Sequence, residues 1–151
     1  MSKNLSILYE EAGRALHKAQ LVEYNLVSIM ILFSKIEISK PIEADPNYWS
    51  KKTLGQILKE SIKSTPIPED TKLFLETLYE ARNHLAHKLF METDIANEAG
   101  IDRAIREVRY MQEVFDRGHA LMEEILKNVA KNEFSIDIDE IKREAAEKIS
   151  N

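Results

Sequence analysis

Apolar residues recur three and four positions apart along most of this chain, the period of an α-helix rather than of a strand. The longest run comes first. Leu5, Leu8, Ala12, Ala15, Ala19, Val22, Leu26, Ile29, Phe33 and Ile36 predict a helix from about Leu5 to Ile38. Its alanines at 12, 15 and 19 imply close approach of a neighbouring helix, while Leu21 to Phe33 is apolar on nearly every side and needs more than one neighbour. That stretch is too short to be a membrane span and contains Glu23, Asn25 and Ser28.

Pro41 and Pro46 mark a connection over Lys40 to Lys52, in which Tyr48 and Trp49 are placed to seal the end of a bundle. Thr53 and Gln56 have capping-box spacing and open a short helix with Leu54, Ile57, Leu58 and Ile62 as its buried stripe, ended by Pro66. Pro68, Glu69 and Asp70 suit the first turn of the next helix, where the acids complement the helix dipole; that helix closes near Met91 and keeps Phe74, Leu78, Ala81, Leu85 and Leu89 on one side. A last long helix starts between Thr93 and Asp102 and runs to about Lys131 through Ile105, Val108, Phe115, Met122, Ile125 and Val129, with Gly118 marking a close crossing. Arg103, Arg106 and Arg109 form a basic stripe. Because Arg103 with Glu107, Arg109 with Glu113, and Glu113 with Arg117 are i, i+4 partners, the stripe reads as a solvated ion-pair face, and His119 near the apolar line reads as structural. Ser135 to Asn151 reads as a separate short helix through Ile138, Ile141, Ala145 and Ile149, docked on the bundle or on a partner.

The expected fold is therefore all-α: an antiparallel bundle of four main helices over residues 1–131, followed by a short C-terminal helical tail over 132–151. Composition agrees, since 151 residues make one domain with a real core and only four Gly and four Pro favour helices over sheets. The absence of cysteine excludes disulfides and thiolate metal sites. The start Met1-Ser2-Lys3-Asn4 is not a signal peptide, and the expected location is the cytoplasm. A net charge of -5 argues against general coating of nucleic acid and leaves room only for a local basic cleft.

Candidate chemistry concentrates late in the third predicted helix, in Glu80-Ala81-Arg82-Asn83-His84-Leu85-Ala86-His87. A guanidinium, an amide and an imidazole within six residues are the groups that handle a phosphodiester: Arg grips phosphate oxygens through a planar fork, and His titrates near neutral pH as base or acid. On a regular helix Asn83 and His87 lie one turn apart, opposite the apolar side, and Arg82 sits on the flank. The face from Arg82 to His87 also carries Tyr79, Ala86 and Phe90. Aromatics around a small residue suit the approach of a second subunit, so a homodimer with a shared site is expected. His84 stands i, i+3 from His87 and i, i+4 from Glu80, a spacing that metal ligands also use, but no third or fourth ligand is evident; no metal and no cofactor are expected, and His84 is read as an auxiliary proton donor.

Arg-Asn followed by a His five positions after the Arg resembles the Arg-x4-6-His signature of the HEPN superfamily, in which a polar residue directly follows the Arg. The resemblance covers Arg82 to His87 and is supported by the all-helical pattern elsewhere. It implies a small, commonly dimeric helical bundle, with Arg82, Asn83 and His87 as the catalytic set of a metal-independent endoribonuclease of toxin–antitoxin, phage-defence or RNA-processing type. RNA is then the substrate, an antitoxin is a candidate partner, and the products carry a 2′,3′-cyclic phosphate and a 5′-hydroxyl. In HEPN toxins silenced by nucleotidyl transfer a Tyr lies two positions after the motif His; here that position is Leu89, so that mode of control is not expected. The alternative is a noncatalytic module in which the same residues knit an interface or bind a nucleotide.

Overall fold

In the computed structural model, residues 3–33, 47–48, 51–52, 56–57, 59–60 and 69–150 are described. The fold is all-α. Helix α1 spans Lys3–Phe33, α2 Glu69–Asn83, α3 Leu89–Glu92, α4 Glu98–Phe134 and α5 Ile138–Ser150; a π-helical turn, His84–Lys88, joins α2 to α3. No described helix is long and apolar enough to cross a membrane.

The alanine seam does what its spacing predicts. Ala12, Ala15 and Ala19 are buried with Leu8 and Val22, and α1 lies along α4, whose inward positions are Ile101, Ala104, Ile105, Val108, Met111, Phe115 and Met122. Polar pairs flank the seam and fix its register: Asn4 donates to Asp102 at 3.2 Å, Gln112 to Glu11 at 2.7 Å and Lys18 to Asp116 at 2.7 Å, while Asn25 meets His119 at 3.2 Å. Both numbers rise together, so α1 and α4 run side by side in the same direction. Helix α2 runs against both, because Phe90 stacks on Tyr9 and Arg82 faces Glu23, and Leu78 meets Gly118 while His84 meets Glu107. The antiparallel relation expected of neighbours therefore describes α2 with each long helix, whereas the two long helices are parallel.

Several boundaries follow local chemistry. Asn97 caps α4 by accepting from the Ala99 amide at 3.0 Å. Gly100 is needed there, since a Cβ would stand 2.7 Å from the Asp94 carbonyl oxygen. Ser135, at φ 55°, turns the chain out of α4 in the left-handed region. Of the expected i, i+4 pairs on α4, Arg103–Glu107 forms at 3.3 Å, but Arg109 reaches across to Glu11 on α1 at 3.8 Å instead of pairing with Glu113. Tyr48, expected to seal the bundle end, donates to Glu60 at 2.9 Å and lies under the Lys52 ammonium. Of the predicted 53–62 helix Ile57 is described and buried; Trp49, Leu54, Leu58, Ile62, Pro66 and Pro68 lie outside the described residues.

Gly118 marks a close crossing of α2 and α4. A Cβ there would stand 2.8 Å from Leu78 Cδ2 and 3.0 Å from Cδ1, and Leu78 is fully buried, so it has nowhere to move. Alanine gains up to about 1 kcal/mol in helix propensity, but overpacking a tight core costs ~1–3 kcal/mol. Gly118→Ala should therefore lower stability by about 1 kcal/mol in urea denaturation. Adding Leu78→Ala should recover the clash, giving a double-mutant loss smaller than the sum of the two single losses. Full additivity would show that the two helices do not touch there.

Candidate functional site

The motif residues straddle a change of helix type. Arg82 and Asn83 are the last two residues of α2, and His84 and His87 lie in the π turn, whose closing bond runs from the Leu89 amide to the His84 carbonyl. A π turn accommodates an extra residue and is closed by i→i+5 rather than i→i+4 bonds. Its consequence is rotational. Five residues on a regular helix leave two side chains ~140° apart, and an inserted residue holds that rotation back, so His87 swings toward the Arg82 side of the helix. Leu85 and Leu89 stay buried through the turn, while Ala86, His87 and Lys88 form a run of three consecutive exposed residues.

Each candidate side chain finds a different neighbour. Arg82 is half-buried and near enough to Glu23 of α1 for its charge to act there, although the two form no direct ion pair. Glu23 stands within the apolar part of α1, and desolvation raises its carboxyl above the usual carboxylate range, an effect that the Arg82 charge opposes. Asn83 hydrogen-bonds the Tyr79 phenol, and together with Lys59, whose ammonium stands 5.3 Å from the centre of that ring, lowers the Tyr79 pKa. His84 turns to the other side: its Nδ1 is 3.8 Å from Glu92 and its Nε2 3.6 Å from Glu107, so it ties the π turn to α3 and α4. His87 has no hydrogen bond or ion pair with another described residue and projects into solvent. Arg82 is thus half-buried and His87 exposed, while His84 lies near two carboxylates beside a cavity of about 180 Å³ lined also by Leu89, Thr93 and Arg103.

The expected dimer face is partly occupied within the chain. Tyr79 is engaged by Asn83 and Lys59, and Phe90, 41 % exposed, stacks on Tyr9 with ring centres 5.2 Å apart. Ala86 is open. The α1 side of the same edge adds Leu16, nearly half exposed, and Gly13, over which a Cβ would meet nothing within 4 Å. Among the described residues no group of three His, Asp or Glu side chains is arranged to hold a metal ion.

No family profile, curated protein or solved structure matches this chain. The functional reading rests on the site alone.

Glu23 is the functional neighbour that sequence reasoning did not single out. Its signal was present: a carboxylate inside the most apolar part of α1 needs a partner. With a folded-state pKa raised above its unfolded value, Glu23 contributes stability below the ordinary carboxylate range that is lost as pH rises through the raised value. Arg82→Ala removes the one opposing charge, so the Glu23 carboxyl should titrate at still higher pH in carbon-detected NMR. An unchanged Glu23 titration would mean that Arg82 does not face it in solution.

Proposed function

We propose that the chain is a metal-independent endoribonuclease of HEPN type that cleaves RNA at a composite site shared by two copies. The observation that carries this reading is the π turn at the motif: it departs from regular helix geometry within the Arg-x4-His step and leaves the His87 imidazole exposed. Such turns are frequent at functional sites.

The chemistry needs no metal. RNA carries its own nucleophile, the 2′-OH, whose oxygen attacks the adjacent phosphorus as the 5′-oxygen bond breaks. One His87 takes the 2′ proton and its counterpart from the second copy protonates the leaving 5′-oxygen, while the two Arg82 guanidiniums hold the phosphoryl oxygens as charge develops on them. Asn83 orients the phosphate or the imidazole. The half-exposed Tyr9–Phe90 pair, Ala86 and the open surface over Gly13 supply the edge along which the copies meet.

The second reading, a noncatalytic interaction module, is favoured by the neighbours already present: Arg82 faces Glu23, and Asn83 is spent on Tyr79. Purified protein incubated with total RNA in EDTA separates the two. The wild type should leave cyclic-phosphate ends, and His87→Ala and Arg82→Ala should each lose about 10²-fold or more in rate at matched fold and oligomeric state. Glu23→Gln should still cleave, since in this reading Arg82 acts on RNA. Loss of activity in Glu23→Gln equal to that in Arg82→Ala would assign Arg82 a structural role, and equal behaviour of all four proteins would favour the interaction module. Phe90→Asp should yield a monomer in sedimentation and abolish cleavage together.

A further inference from the structure

The C-terminal half of the α1–α4 contact opens into a cavity of about 390 Å³, roofed by the start of α5. It is larger than the other two cavities described, of about 180 and 270 Å³, and falls in the size range of small-molecule sites. Its floor is polar. Asn25, only 9 % exposed, meets His119 Nδ1 at 3.2 Å, and His119 Nε2 lies 3.8 Å from Glu123, so a carboxylate also borders the imidazole. Asn25 and His119 both line this cavity.

The rim is aromatic and cationic. Tyr24 is 72 % exposed, and its ring stacks on no described residue. Lys127 comes from α4 and Lys142 from α5, their ammoniums 3.0 Å from Asp139 and 3.5 Å from Glu123. Both are exposed ion pairs of the weak, exchangeable kind. They are also the ion pairs that hold α5 on α4; from Asp139 to Ile149 every residue of α5 is exposed. Both pairs lie where the start of α5 meets α4, beside the half-buried Ile138.

We propose that the cavity binds a mononucleotide. A carboxamide offers a donor and an acceptor side by side, the pattern that pairs with the edge of a nucleobase. The Tyr24 ring supplies a face on which a base stacks. Two lysines at one rim supply the point charges that bind a phosphate, which displaces Glu123 and Asp139 from them. The base sits against Asn25 and His119, the phosphate bridges α4 and α5, and the ligand thereby fastens the tail helix. None of these residues belongs to the Arg82–His87 edge, so the proposal stands apart from RNA cleavage.

The test is an NMR titration of the full chain with AMP, GMP, CMP and UMP in turn, and with sodium phosphate and adenosine alone, at constant ionic strength. At least one nucleotide should saturate while shifting the Asn25 side-chain amide and the His119 ring. Tyr24→Ala and Lys142→Ala alter exposed positions and should fold normally by circular dichroism; each should weaken binding about tenfold. Nucleotide should also slow proteolysis at residues 135–137. No shift at Asn25 and His119 with any nucleotide at millimolar concentration overturns the proposal. So does an equal response to phosphate alone or to adenosine alone, or binding that both substitutions leave unchanged.

Discussion

Everything in this molecule depends on how closely α1 can approach α4. Three alanines on one face of α1 remove the side-chain bulk that would otherwise hold the axes at the wider end of the usual 8–10 Å range. Beyond Ala19 the same side carries the larger Val22, Leu26, Ile29 and Met30, all buried. The largest described cavity lies beside this second half of the contact, between Tyr24 and Ser28 on α1 and His119 and Lys127 on α4. Because the long helices are parallel, their dipoles repel slightly, and α2 running against both offsets this.

The π turn is the second constraint, and it is held rather than tolerated. Leu85 and Leu89 anchor it from the core, and His84 anchors it from the side through carboxylates on two other helices. A wide turn costs backbone energy and persists when its surroundings over-determine it. Here the surroundings do so on the buried side only. The outer side, Ala86 to Lys88, is exposed.

The helices were legible because burial repeats at the helical period: α2 begins at Glu69, the helical segment ends at Glu92, one residue past the Met91 expected, and Asn97 starts α4 inside the predicted window. Gly118 was legible as a crossing for the same reason, a small residue on an apolar line. The π turn was not, since Leu78, Leu85 and Leu89 keep a spacing that a regular helix also satisfies. Neither was the use of His84, because its partners Glu92 and Glu107 are set by how α2, α3 and α4 fold together. The ion-pair reading of α4 failed at Arg109 for a related reason. An i, i+4 partner on the same helix competes with any carboxylate that packing brings nearby, and Glu11, mostly covered by α4, won.

Whether Arg82 is free to serve an external anion turns on the quality of its internal one. A fully solvated carboxylate would bind it weakly, and a well-hydrogen-bonded buried one would hold it permanently. Glu23 is neither. Its surroundings penalise its charge enough that its pKa stays raised even with the guanidinium nearby. A carboxylate that is costly to ionise is a poor competitor for the cation beside it, because the pair gains only the difference between attraction and desolvation. A phosphate oxygen offers the planar fork better geometry and keeps its charge at neutral pH. In the proposed reaction, approach of such a group would give Arg82 a stronger partner than Glu23 and, by removing the one favourable charge acting on that carboxyl, would raise its pKa further.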